Sequence, residues 1–543
     1  MTTIREQPGL VEAPDATTSD GPEGAGATEP GPAATPTPDP APDSAPDPAR
    51  RWLRGTLIAV SALVAVALVV STGLFAYVRY RYGQVRKVFL PGLVHHGRDP
   101  AGARSEKGMT ILLVGNNTRA GLDPREARQF GTADEVGGAR SDVTMLLHLD
   151  PAKGASLLSV PRDLFVPMPP RSRAGAVGKI DAALNDGPEQ LVEALSNDLG
   201  IPIDHYVSIN FDGFQHVVDS LGGVDMSFPT PLRDSFSGLR INRTGCTHLG
   251  GAAALSVVRA RHLQYLGPSG RWVDDPQSDL GRIRRNHQFL TVFAKTMKAR
   301  GITNPLRANA VLGNLVHQVT IDSGLGAGTM AKLLRRYRNL NPDTVPQLTL
   351  PVTLVPQANY RYGGGSYGSV VFPSQPADAQ VIATFLGVTA PQAPPAPVSV
   401  IDRSTTGAGR QVSEGLAAAG FPVTGVTRSA VVAHPSETVI RYHAGDLPAA
   451  ERLLASLSGA AVMYADPQTQ KGALVLDLGS VVTVASPSPA PSSSPSAAST
   501  PARTGTAASN GASRTVSPTV PTPGGQPITA SVTPPQSFDP RGC

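Results

Sequence analysis

RSDVTMLLHLDPAKGASLLSVPRD, residues 140–163, holds two short apolar runs, Val143–Leu149 and Ala155–Val160, on either side of Asp150-Pro151-Ala152-Lys153-Gly154. Asp and Pro open turns and Gly closes them. Short apolar runs bounded by turn signals read as buried strands, so the stretch reads as a β-hairpin. A hairpin returns the chain to where it began. Arg140 and Asp142 enter the first strand, and Arg162 and Asp163 leave the second, so these four charged side chains are expected to be neighbours. An RSD or a PRD alone reads as a surface ion pair. Both together, placed symmetrically on one hairpin, point to a polar site.

The chain has 543 residues, room for several domains. Its 52 Pro and 56 Gly cluster towards the two ends, which predicts disordered tails around a folded middle. A net charge of +5, without any run of Lys and Arg interleaved with aromatics, excludes bulk nucleic-acid binding. Cys246 and Cys543 make neither a disulfide framework nor a zinc set, and whether they pair with each other stays open. The 11 histidines show no metal-binding spacing. His95, His96 and His148 read as surface or packed residues.

Residues 1–50 lack the large apolar side chains that would offset ordering entropy and are expected to be disordered. Residues 53–80 are apolar over Gly55–Val78, longer than the ~20 residues a bilayer crossing needs. Trp52, Tyr77, Tyr80 and Tyr82 stand at the ends, as interfacial aromatics do. This predicts a single transmembrane anchor. Arginines flank it on both sides, so charge gives no orientation.

Met109–Gly115 reads as a buried strand ending in a polar loop from Gly115 to Arg119, at the strand end where open α/β sheets bind ligands. Helical apolar spacing predicts helices over Pro188–Leu199, Phe211–Leu221, Gly250–Val258 and Asp279–Arg300. Two more are expected near Asn304–His317 and Leu325–Leu340. Strands are expected over Ile203–Ile209, Val224–Phe228 and Gln347–Leu354. Asp279 reads as an ordinary helix cap. Arg282, Arg284 and Arg285 in the same first turns oppose the helix dipole, a conflict that an anionic ligand would relieve. After a linker at Pro391–Pro397, residues 398–484 read as a second small α/β domain without a catalytic constellation. Residues 485–543, rich in Ser, Pro, Thr and Ala, are expected to be disordered.

Seven segments in order, from LLVG with its polar loop through ARSDVTMLLHLD, SLLSVPRDLFVPMP, KIDAALNDGPEQLVEAL, IDHYVSINFDGFQHVVDSLGGVDM and ALSVVRARHL to DLGRIRRNHQFL, resemble the LytR–CpsA–Psr family of membrane-anchored cell-wall enzymes. Residues 398–484 resemble the LytR C-terminal domain. The resemblance implies an α/β/α sandwich around a central mixed sheet over 90–388. It also implies a catalytic region outside the cell membrane, anchored by one span with 1–50 in the cytoplasm. The implied substrate is an anionic glycopolymer on a polyprenyl-pyrophosphate carrier, moved to a sugar hydroxyl of peptidoglycan. Arg140, Arg162, Arg259, Arg261 and Arg282 would hold the pyrophosphate, with Arg119 in the first loop. Asp142 would bind Mg²⁺, and Asp163 and Asp279 match further polar positions.

Two positions depart from the family pattern. Asn117 stands where the family has Asp, which removes one of two metal carboxylates. Asn286 stands where it has Gln, which shortens an amide at the phosphate site. Asp134 or Glu135 are acids near enough in sequence to compensate. The chemistry fits: guanidinium forks bind phosphate oxygens bidentately, and Mg²⁺ takes carboxylate and phosphate oxygens while keeping waters. The apolar faces of Pro188–Leu199 and Ile283–Met297 are candidates for a polyprenyl groove or for plain core. Two other readings stand beside transfer. One is a phosphatase acting on the lipid carrier. The other is a non-catalytic membrane protein that binds wall precursors or regulates transcription.

Overall fold

The computed structural model describes residues 79–93, 108–117, 139–301, 318–388, 393–484 and 535–543, with short breaks, and a few isolated positions besides. The expected span at 53–80 lies almost wholly outside the described residues. So do the expected helix near Asn304–His317 and the positions Arg119, Asp134 and Glu135. Among the described residues no helix is long and apolar enough to cross a membrane.

The hairpin is present. Strands β3 (Ser141–Asp150) and β4 (Gly154–Val160) pair antiparallel from Thr144 opposite Val160 to Asp150 opposite Gly154. Their turn forms because Asp150 Oδ1 accepts the backbone N–H groups of Ala152 and Lys153, at 2.7 and 2.9 Å. Gly154 takes φ +99°, a conformation other residues rarely adopt. β3 also pairs with β2 (Met109–Asn116), and β2 runs parallel to β7 (His205–Ile209). With β1 (Arg86–Val88), β14 (Val319–Asp322) and β15 (Gln347–Thr349) they make a seven-stranded sheet in the order β1-β14-β7-β2-β3-β4-β15. Three of its pairs are parallel and three antiparallel, the mixed α/β sheet that the sequence predicts.

Helix α1 (Pro188–Leu199) starts on proline and stops at Gly200 in the left-handed region. Leu191, Val192, Leu195 and Leu199 on it are at most 2% exposed and pack with Leu112, Leu146 and Leu158 of the sheet. Its apolar face is therefore core. The same holds for Ile283 and Phe289 of the long helix, at 4% and 2% exposure. A second core lies under helices α2 (Phe211–Ser220), α3 (Gly251–Arg259) and α4 (Ser278–Thr296), with Phe228, Leu232 and Val257 at its centre.

The strand expected over Gln347–Leu354 is two strands. Pro351 has no N–H to continue a ladder, and the chain changes sheets there: β15 pairs with β4, whereas β16 (Val352–Leu354) pairs with Val371–Gln375. That second sheet runs on into the strands Leu457–Ala465, Thr438–Tyr442, Leu474–Leu478 and Val398–Asp402 of the C-terminal region.

Residues 535–543, expected to belong to a disordered tail, instead dock on the second core. Arg541–Gly542 adds a strand to β8 (Val224–Phe228), and Phe538 stacks on Tyr265 with ring centroids 4.0 Å apart. Cys543 is disulfide-bonded to Cys246 on β11 (Gly245–Leu249), 297 residues earlier. Asp539 is fully buried and accepts from the Arg284 guanidinium, with Arg285 Nη1 4.0 Å away. Asp275 Oδ2 completes the group at 2.6 Å from Arg285 and 3.2 Å from Arg284. Gly281 leaves room for it, since a Cβ there would fall 2.2 Å from Asp275 Oδ2.

Removing one partner of a buried ion network leaves the other charge uncompensated, which costs ~3–5 kcal/mol. Asp539→Ala is expected to lower unfolding free energy by an amount in that range, measured by urea denaturation. An unchanged midpoint and slope would show that the tail is an ornament on an independently stable core.

Candidate anion site

The site forms at the open end of the hairpin. The ladder between β2 and β3 shifts register at Gly115 and Asn116, a bulge that turns the strand end. A Cβ on Gly115 would meet Val143 Cβ at 3.2 Å, so the two strands close tightly here. Asn117 then pairs with Arg140. Its N–H donates to Arg140 O at 3.1 Å, and its Oδ1 accepts the Arg140 N–H at 2.9 Å. The loop after β4 is pinned from two distant segments: Asp181 N–H donates to Arg162 O at 3.3 Å, and Val371 N–H to Asp163 O at 3.0 Å.

Arg162 is the hub. Its Nη1 donates to Asp142 Oδ1 at 2.8 Å, and Asp163 and Asp181 each lie 3.7 Å from it. Burial alone would pull the Arg162 guanidinium down, but Asp163, Asp181 and Asp142 outweigh it and raise its pKa. Asp163 is gripped in turn by Lys179 at 2.7 Å and Arg261 at 3.3 Å. Burial pushes its carboxyl up, and these cations more than reverse that, leaving it below its usual range. Arg261 reaches Asp279 at 3.1 Å, and Asp279 binds Arg282 at 2.9 Å.

The structure thus brings together Arg140, Asp142, Arg162, Asp163, Arg261, Asp279 and Arg282. Arg140 is exposed and close enough to act electrostatically on Asp181. Helix α3 ends at Arg259, whose guanidinium lies over the Phe211 ring at 4.2 Å. Asn286, one turn beyond Arg282, is 4% exposed and its Oδ1 is buried without a hydrogen-bond partner.

Two expectations need correction. Asp279 does not cap its helix: no side chain caps α4, and the Asp279 carboxylate goes to Arg261 and Arg282 instead. The three arginines of the first turns are not one anion-binding group either. Arg284 and Arg285 are neutralised by Asp275 and Asp539, and Arg282 alone of the three joins the site.

Two site residues went unassigned in the sequence reading, Lys179 and Asp181 of the KID segment. Asp181 is 1% exposed, and neither carboxylate oxygen has a hydrogen-bond partner. Burial raises its pKa in spite of Arg162. The signal available was the position of KID directly after a basic loop, with an acid and a base bracketing one apolar residue.

Unpaired donors point the same way as the charges. The Nε atoms of Arg162, Arg261 and Arg282 are all buried without an aligned acceptor, although Arg261 Nε has a carboxylate oxygen 3.1 Å away. Buried donors of this kind are normally satisfied.

A raised pKa means that the folded chain holds the Asp181 proton more tightly than the unfolded chain does. Its contribution to stability is present at low pH and is lost as pH rises through the folded value. The same rise places a negative charge in the site. Inorganic pyrophosphate is therefore expected to bind wild type less well as pH climbs above the ordinary carboxylate range, and Asp181→Asn to flatten that decline. Parallel profiles for the two proteins in calorimetric titrations across pH would remove Asp181 from the site.

The profile of the LytR_cpsA_psr family matches residues 93–374. A second profile, described as LytR cell envelope-related transcriptional attenuator, matches residues 396–485. The chain is 33% identical over 242 residues to LcpB of Corynebacterium glutamicum, covering 44% of this chain and 54% of that protein. It is 30% identical over 247 residues to TagV of Bacillus subtilis, named a polyisoprenyl-teichoic acid–peptidoglycan teichoic acid transferase, covering 44% and 57%. The match thus spans little more than half the length of these relatives. Among solved structures, a LytR-Csp2A-Psr enzyme from Actinomyces oris is 24% identical, covering 55% of this chain and 95% of that one at a TM-score of 0.40. With a family profile spanning more than half of its residues, this chain belongs to the LytR_cpsA_psr family.

Proposed function

We propose that the chain transfers an anionic glycopolymer from a polyprenyl-pyrophosphate carrier to a sugar hydroxyl of peptidoglycan. The observation that carries this reading is the set of buried, unsatisfied Nε donors on Arg162, Arg261 and Arg282, ringed by Lys179 and Arg140. A diphosphate supplies charged acceptor oxygens for such donors, and planar guanidinium groups match them bidentately. The names of relatives such as TagV support the choice of substrate.

In this reading the acceptor hydroxyl oxygen forms a bond to the polymer-side phosphorus, and the bond from that phosphorus to the bridging oxygen breaks. Polyprenyl phosphate departs with the electron pair of the broken bond, and the hydroxyl proton passes to that leaving phosphate, directly or through water. Arg162, Arg261 and Arg282 hold the diphosphate and take up the charge that gathers on the leaving phosphate. Asp142, Asp163 and Asp279 fix those guanidinium groups in place. Their ion pairs make them positioning residues.

Mg²⁺, when bound, would neutralise diphosphate oxygens, with Asp142 and Asn117 holding it. The fit is partial. Asp142 already gives one oxygen to Arg162, and Asn117 Oδ1 already accepts from Arg140. A neutral amide also attracts a dication less than a carboxylate does. Mg²⁺ binding is therefore proposed to depend on the diphosphate for its remaining negative charge.

Titration with inorganic pyrophosphate tests both parts. Arg140 is exposed, so Arg140→Ala should alter stability by no more than ~0.5 kcal/mol while weakening pyrophosphate binding and polymer transfer together. Asn117→Asp should tighten Mg²⁺ binding even without pyrophosphate. Equal pyrophosphate affinity in Arg140→Ala would reject the anion site, and equal Mg²⁺ affinity in Asn117→Asp would remove Asn117 from the metal.

The same reading requires residues 83–543 outside the cell membrane, anchored by 53–80. A reporter enzyme fused after Cys543 should be active in its exported form. Activity confined to the cytoplasm would defeat both the topology and the wall function.

A further inference from the structure

Beside the anion site lies a small sheet of β9 (Leu232–Asp234), β10 (Leu239–Ile241), β12 (Gln264–Leu266) and β13 (Trp272–Asp274), in the order β10-β9-β12-β13. Register sets Arg240 opposite Arg233, Arg233 opposite Gln264, and Gln264 opposite Asp274. Residues in register share a face. One face therefore carries a row of four polar side chains, with Trp272 beside Asp274 on the same side. The alternate residues Leu232, Leu239 and Ile241 are buried below it. The underside is buried at β9 and β10, and the upper face is polar and aromatic.

That upper face is ordered. Arg233 Nε donates to Gln264 Oε1 at 2.7 Å, and Gln264 Nε2 donates to Asp274 Oδ1 at 2.8 Å. The Arg233 guanidinium lies over the Trp272 ring at 4.1 Å. Phe236, in the turn between β9 and β10, is 73% exposed although its backbone N–H is fixed by Asp234 Oδ1 at 2.8 Å. Its ring sits 4.4 Å from that of His262, so the aromatic is held out into solvent. Together they line a concavity of about 950 Å³. His262 lines it too and directly follows Arg261 of the anion site in the chain, so one segment serves both.

We propose that this face is a glycan-binding platform whose occupant is the acceptor amino-sugar strand, a role that rests on the transfer reading above. Sugar rings offer an apolar C–H face and a rim of hydroxyl and amide groups. Trp272 and Phe236 suit the first; the planar amide, carboxylate and guanidinium groups of the row suit the second. Two features disfavour the anionic donor polymer here. Asp274 repels it, and Arg233 is already engaged by Gln264 and Trp272, which leaves Arg240 as the row's attraction for an anion. An open sheet face accommodates a strand that enters and leaves. The cavity of about 730 Å³ beside Met109 and Leu149 lies at the turn end of the hairpin, the end opposite Arg162.

Binding is read without transfer. Full-length protein in detergent is sedimented with peptidoglycan stripped of attached polymers, and titrated with soluble chitohexaose. Phe236→Ser and Trp272→Ala should each weaken both interactions about tenfold, the equivalent of ~1.4 kcal/mol. Phe236 is too exposed for its replacement to endanger the fold. Arg140→Ala, in the diphosphate site, should bind both glycans as wild type does. Wild-type affinity in both platform variants overturns the proposal. So does a loss confined to a polyphosphate chain with chitohexaose unaffected. Platform-dependent glycan binding in a protein that transfers nothing would support the glycan site and reject the reaction instead.

Discussion

Guanidinium groups brought out of water at the strand ends of a sheet repel one another and lose hydration, and a fold that gathers them must supply negative charge from somewhere. Here Arg162 is bracketed by Asp142, Asp163 and Asp181, and Arg261 and Arg282 share Asp279. Much of the architecture follows from meeting that requirement. The hairpin delivers Asp142 and Arg162 to one place, the KID segment brings Lys179 and Asp181 up beneath them, and α4 adds Asp279 and Arg282. Asp142, Asp163 and Asp279 are each spent on holding a cation, while guanidinium N–H groups remain without acceptors. The result is an arrangement rigid in its acids and unsatisfied in its donors, suited to an anion that arrives from outside.

Helix α4 carries two charge systems on different faces. Asp279, Arg282 and Asn286 are three and four residues apart and look towards the anion site. Arg284 and Arg285 turn to a buried pocket closed by Asp275 and Asp539. Arg285 also donates to Ala260 O at 2.7 Å, the carbonyl between Arg259 and Arg261. The buried network is therefore attached to the segment that carries two of the arginines first assigned to phosphate. Whatever fixes the back of this helix also fixes the front.

The hairpin, α1, α2 and β8 were legible because their signals are local. Asp150, Pro151 and Gly154 make the turn, Pro188 and Gly200 delimit α1, and side chains of the right period fill the core. Most of the site was legible through ordered motifs. The misassignments involve partners far apart in sequence. Nothing around Asp279 distinguishes a cap from a bridge to Arg261, and nothing around Arg284 names Asp539, 255 residues away. The docking segment from Gln536 to Cys543 was hidden by composition: one phenylalanine, one acid and one cysteine follow a long stretch of Ser, Pro and Thr. The sorting of Arg282 from Arg284 was available from helical geometry, since Asp279, Arg282 and Asn286 repeat at three and four residues and Arg284 does not.

The bond between Cys246 and Cys543 also sets an order of events in time. Strand β8, helix α4 and Arg284 are synthesised long before the segment that pairs with, neutralises and covalently secures them, with 297 residues separating the two cysteines. At ~5–20 residues per second, roughly 15–60 s pass between the two. During that interval the sheet edge at β8 is open and two arginines lack their final counter-ion, so the anion site's long helix reaches its finished setting only after the C-terminal region has been made.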